Sequence, residues 1–218
     1  TPEMHTDAHF VIGSAHARAA APCQDYATAA VLPGGGAVAV VADGCSNAGD
    51  TDVGARIVAR ATRNAATGIW LDGLPGAAGD AAEQVAEWRW AAIRTARQEL
   101  GCAWEDMYAT GVYAYVSPGG AFVNVHGDGA VAWQRDDGHL AMLSFAWDEQ
   151  PGSPGSVPAY PAYEHDEYKE FADYYGGDLS AEKLTATRWE CEPGEPAVQT
   201  GTERYPLGEG MKGVTLPL

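Results

Sequence analysis

The sequence predicts an α+β domain in which two groups of antiparallel strands flank two consecutive long helices. Three observations carry this reading. Apolar residues cluster at strand spacing before residue 50, recur at helical spacing from 52 to 100, and return to alternation from 108 onward. The helices follow one another instead of alternating with strands, which argues against a doubly wound parallel sheet. Turn-forming stretches, Pro33-Gly-Gly-Gly36 and Ser117-Pro-Gly-Gly120, stand where antiparallel neighbours would be joined.

The chain has 218 residues, enough for one domain with a sizeable core, and its 46% hydrophobic content suits a globular fold. The formal net charge of -17 disfavours nucleic acid and anionic membrane, both of which need basic patches. It also repels phosphorylated ligands at long range, so such a ligand would need local cations, from a metal or from Arg. No apolar run is long enough to span a bilayer, and the first residues show no secretory pattern. Cys23, Cys45, Cys102 and Cys191 form no C-x-x-C pair and match no zinc spacing, so they read as reduced thiols of a cytoplasmic protein.

In order along the chain, residues 9–14 read as a short strand and 26–32 as a second. The Pro33–Gly36 turn leads into a third, the run Ala37-Val-Ala-Val-Val-Ala-Asp43. That run shows no polar alternation and predicts a strand buried on both faces. Ile57, Val58, Ala61, Ala65 and Ile69 form a helical stripe from 52 to about 70, ended by the break at Asp72–Gly76. A second helix spans about 78–100, with Ala82, Ala86, Trp90, Ile93 and Leu100 on one side. Period-two segments at 108–116, 121–126, 130–134 and 140–145 read as a meander, with Asp128-Gly129 as one of its hairpin turns. Residues 148–163, rich in Pro and Gly, read as a loop; 165–175 reads as a short helix and 183–192 as a strand.

The chemistry points to Asp43 and Gly44. An acid where a rigid apolar strand stops is fixed in place yet open to a ligand. The glycine after it lets the backbone carbonyl approach a cation as well. Carboxylate plus carbonyl suits a hard cation such as magnesium or manganese. The Pro33–Gly36 hairpin brings Asp25 level with Asp43, because both lie about nine residues from its centre. Two carboxylates therefore share one sheet edge.

Three islands, Ile12-Gly-Ser-Ala-His-Ala-Arg18 with Pro22-Cys-Gln-Asp25, Val40-Val-Ala-Asp-Gly-Cys-Ser46 and Val125-His-Gly-Asp-Gly-Ala130, resemble the metal-dependent serine/threonine phosphatases of the type 2C class, the bacterial branch most of all. The resemblance covers roughly residues 9–146. It implies a four-layer α-β-β-α sandwich of two antiparallel sheets flanked by helix pairs, forming a single domain over 1–218 with a flap-like insertion at 148–182. It implies hydrolysis of phosphoserine and phosphothreonine on proteins at a binuclear Mn²⁺ or Mg²⁺ centre, with a possible third ion, in a signalling protein that is monomeric when full length. Asp43 would bridge the metals, the Gly44 carbonyl would bind one of them, and Asp25 would bind a metal or its water. Asp128 would help hold a third ion. His16 and Arg18 would contact phosphate, Arg18 as a bidentate donor. Gln24 stands where many relatives have Glu, and Gly129 stands in place of a Ser.

Two metals about 3.5–4 Å apart would activate a water and neutralise phosphoryl oxygens without a phosphoenzyme, so no nucleophilic Cys is expected. The family carries two more acids in its C-terminal third, and this sequence has no match to them. It stops about where their late strand should begin. The expectation is a chain lacking that third, with a bare sheet edge beside it. The alternative reading is an inactive phosphatase-like domain that binds a phosphoprotein or regulates a partner.

Overall fold

The computed structural model describes residues 4–46, 48–71, 78–118, 120–135, 137–149, 158–163 and 165–218. The chain begins with a short helix α1 (Ser14–Ala19), a hairpin β1 (Asp25–Leu32) and β2 (Gly36–Asp43), and two long helices α2 (Thr51–Leu71) and α3 (Ala78–Leu100). Strands β3 (Gly111–Ser117), β4 (Gly120–His126), β5 (Gly129–Gln134) and β6 (Leu140–Trp147) follow. The chain continues with α4 (His165–Tyr174), β7 (Glu182–Cys191), β8 (Val198–Pro206), α5 (Leu207–Lys212) and β9 (Val214–Pro217). The strands form two antiparallel sheets, one of five in the order β1-β2-β3-β4-β9 and one of four in the order β5-β6-β7-β8. The α+β class and the two-sheet plan are those the sequence predicts.

Two apolar cores hold these layers. On one face of the first sheet, Val38, Val40, Tyr113, Tyr115 and Phe122 pack against Val58, Ala65 and Ile69 of α2 and Val85 and Ile93 of α3. Between the sheets, Val112, Val123 and Val125 meet Leu143, Phe145, Trp147, Leu184 and Ala186. Helix α4 and the residues around it close this second core with Tyr160, Tyr163, Phe171 and Tyr175, and α5 adds Leu207. Within 148–182 these aromatic residues are thus part of the core, whereas Tyr174 and Leu179 are exposed; residues 150–157 and 164 lie outside the described residues.

Several expectations are revised. Residues 9–13 are not a strand, and Ser14 opens α1; Phe10 packs on Tyr26 of β1 with ring centroids 5.0 Å apart. Strand β2 is buried on one face only. Its Val38, Val40 and Ala42 face the helices, whereas Val41 is 48% exposed, because the second sheet does not reach across β1 and β2 among the described residues. The four segments read as one meander belong to two sheets, and Asp128-Gly129 is no hairpin turn. It lies where the chain leaves β4 of the first sheet for β5 of the second. The edge of β4 is not bare, since β9 pairs with it from Val125↔Val214 to Phe122↔Pro217. On α3 the buried face is rotated from the expected stripe: Leu100 is exposed, and Arg89 is in the interior. The break at 72–76 lies outside the described residues.

Candidate active site

The β1–β2 hairpin sets the site. Its register pairs Leu32 with Gly36 and continues residue by residue to Asp25 opposite Asp43. The two carboxylates are therefore neighbours at the end of the strands farthest from the glycine turn, as the sequence spacing predicts. Asp43 is held from its other side by Thr110, whose N–H donates to the Asp43 carbonyl at 2.8 Å and whose Oγ1 accepts from the Asp43 N–H at 3.1 Å. With both backbone groups committed, the side chain is aimed by a rigid frame.

Gly44 is needed for close approach. Its N–H donates to the Gln24 carbonyl at 3.0 Å, and a Cβ at this position would lie 2.7 Å from the Thr51 carbonyl oxygen. Thr51, fully buried at the start of α2, donates from Oγ1 to the Cys45 carbonyl at 3.0 Å and accepts from Gln24 Nε2 at 2.9 Å. The Gln24 side chain is thus occupied in tying β1 to the start of α2.

Asp128 comes from the crossover between the sheets. Gly127 and Gly129 on either side have φ of +109° and +144°, in the region that favours glycine. A Cβ on Gly127 would approach Thr110 Cγ2 to 2.8 Å, and one on Gly129 would approach Val112 Cγ2 to 2.8 Å. Trp147 Nε1 donates to the Gly127 carbonyl at 3.0 Å and fixes the turn from the second sheet. The glycine that replaces Ser in the family motif therefore has a local reason: its backbone conformation and its contact with β3.

These three acids line one cleft of about 310 Å³, together with His9, Phe10, Val11 and Thr110. The Asp43 carboxyl is raised to about 6, first by burial, then by a hydrogen bond with Asp25 and by the charges of Asp25 and Asp128; His16 opposes the shift. Burial likewise raises Asp128. Negative charge is thus concentrated where little positive charge offsets it. His16 on α1 is near enough to act on Asp43. Arg18, on the same helix, is exposed and shows no ion pair with a described residue.

Asp25 and Asp43 offer hard oxygen donors, and their mutual repulsion is what a divalent cation relieves. The fit is for a partial site. Among the described residues, no group of three or more His, Cys, Asp or Glu side chains is disposed to hold a metal ion, although Asp128 faces the same cleft and its charge acts on Asp43. Sequence reasoning missed two contributors. Thr110 carried no signal, because a threonine in an alternating strand is ordinary. The 9–11 segment was legible as apolar, but not as a wall of this cleft.

A strand edge bearing paired carboxylates, in two antiparallel sheets packed with helices, places the chain in the class of α+β sandwich folds. The protein phosphatase 2C family model matches residues 12–149, and the chain belongs to that family. The match spans Arg18, Asp25, Asp43 and Asp128. No curated protein matches the chain closely enough to supply a relative.

Proposed function

We propose that this chain hydrolyses phosphoserine and phosphothreonine esters on proteins, using Mn²⁺ or Mg²⁺ held at the β1–β2 edge. The observation that carries the proposal is the Asp25↔Asp43 pairing, with Asp43 raised to about 6 by burial and by its acidic neighbours. Family membership supports phosphatase chemistry as the use of that edge. Bound divalent cations supply an acidified water and neutralise the phosphoryl oxygens. Asp43 and Asp25 hold the ions, the Gly44 carbonyl supplies a neutral oxygen, and Asp128 contributes negative charge from the crossover. His16 and Arg18 on α1 steer the phosphate, which the net charge of -17 would otherwise repel. A phosphoprotein is the partner, and neither nucleic acid nor membrane is one. No described helix is long and apolar enough to cross a membrane.

The test is release of inorganic phosphate from a phosphothreonine peptide as manganese is titrated into metal-stripped protein. Metal-dependent release that disappears in both Asp25→Asn and Asp43→Asn supports the reading. Release that survives both substitutions in folded protein rejects it. The second reading, a phosphoprotein-binding module without turnover, is favoured by the lack of any group of three acids disposed to hold a metal among the described residues. Calorimetry separates the two readings: peptide binding with no phosphate release at saturating manganese selects the module.

A further inference from the structure

Away from this edge, Arg89 is the largest fully buried side chain of the described residues, 2% exposed in the middle of α3. Its Nη2 meets His126 Nδ1 at 3.0 Å, and its Nε and Nη1 have no hydrogen-bond partner among the described residues. No carboxylate pairs with it among the described residues. The guanidinium can only donate, so His126 Nδ1 accepts. The Tyr168 hydroxyl lies 3.4 Å from His126 Nε2. A buried guanidinium does not escape its cost by losing a proton, because arginine stays protonated in proteins. A buried charge without a counter-ion is strongly unfavourable.

Arg89 forms part of the wall of a cavity of about 410 Å³ between α3 and the β4–β9 edge, lined also by Asn124, His126, Tyr168 and Lys212. A second cavity of about 620 Å³ adjoins it, sharing Tyr168 and Lys212, and is walled by Ala172, Leu179 and Met211 with Lys169 at its margin. A chain with net charge -17 thus gathers Arg89, Lys169 and Lys212 around two adjoining hollows, one with a buried cation and one largely apolar. Glu83, Glu87 and Asp173 stand at the rims and disfavour a dianion.

We infer that the paired cavities bind an amphipathic monocarboxylate, its carboxylate drawn to the Arg89–Lys212 wall and its aliphatic tail lying along Ala172, Leu179 and Met211. The carboxylate supplies the missing counter-ion, and charge-assisted hydrogen bonds to a guanidinium are among the stronger polar contacts in proteins. The tail removes apolar surface from water. One charge satisfies Arg89 without the repulsion that the rim acids would impose on phosphate.

The test uses metal-stripped protein in EDTA, so the carboxylate edge plays no part. Hexanoate is titrated by calorimetry and by thermal melting, beside hexan-1-ol and inorganic phosphate. Expected is saturable one-site binding of hexanoate with a rise in melting temperature, and neither effect from the alcohol or phosphate. Arg89→Met should weaken hexanoate binding roughly ten- to hundredfold, the loss of a charge-assisted contact. Should that variant not fold, Lys212→Glu at the exposed rim is expected to weaken binding in the same direction without touching the core. No binding of hexanoate, equal binding of the alcohol or of phosphate, or undiminished binding in the variants would each overturn the inference.

Discussion

At Asp43 the raised carboxyl makes stability depend on pH in a definite direction. Its folded value of about 6 lies above the usual 3.8, so the folded state holds this proton more tightly than the unfolded chain does. In metal-free protein the resulting penalty is absent below about pH 3.8, grows as pH rises, and is fully present above about 6. Asp43→Asn should therefore raise the metal-free melting temperature at pH 7.5 while abolishing turnover, the trade expected where a site stores repulsion. The rise should not exceed roughly 2–4 °C, because solvent screens an exposed carboxylate. Melting curves of wild type and variant at pH 4 and 7.5 check this; a variant less stable than wild type at pH 7.5 would contradict it. Thr110 makes a second test. Thr110→Val keeps the shape but removes the acceptor for the Asp43 N–H, which should cost about 1–2 kcal/mol. Denaturant unfolding measures the loss, and an unchanged midpoint would mean that the 3.1 Å contact contributes nothing.

Among the elements, the crossover from β4 to β5 carries the most specific conformational demand. Gly127→Ala would place a Cβ against Thr110 and Gly129→Ala one against Val112 of β3, each from a backbone with positive φ. Each should cost about 1–3 kcal/mol from backbone strain alone, with more from the contact. Gly129→Ala should displace Asp128 while leaving the Asp25–Asp43 pair untouched, because that pair is set by the β1–β2 hairpin, whereas Gly127→Ala also presses on Thr110, which braces Asp43. In Gly129→Ala, activity should fall further than manganese affinity does. Parallel calorimetry and phosphate-release measurements decide this, and equal losses in both would tie Asp128 to the principal cation.

For the whole molecule, ligand counting sets the expectation. Asp25, Asp43 and the Gly44 carbonyl suffice for one hard cation with waters completing its shell. A second cation would have only a share of Asp43 and Asp128. Manganese should raise the melting temperature by binding the native state. Phosphate release should follow manganese along a single-site curve, and a two-site dependence would show that further ligands hold a second ion.

How much of this was legible depends on how local the cause is. The Asp25–Asp43 pairing follows from counting residues either side of a glycine turn, because a tight antiparallel hairpin leaves no freedom in register. The α2 face is legible for the same reason, through helical repeat alone: Val58, Ala61, Ala65 and Ile69 are buried as predicted. Asp128 was visible as a motif, yet its local Asp-Gly signal also fits a hairpin, and only the packing of one sheet on the other turned it into a crossover. Burial of Arg89 in place of Leu100 on α3 was not legible at all, since a helical repeat ranks residues by polarity and takes no account of a cavity beside His126. The half-exposed face of β2 was misread because apolar runs report propensity, whereas coverage depends on how far the second sheet extends. The sequence by itself thus determined the α+β class, the family and the carboxylate edge, all of which rest on short-range spacing. Tertiary structure alone decided the crossover, the β4–β9 pairing and the buried guanidinium, because these depend on contacts between residues far apart in the chain.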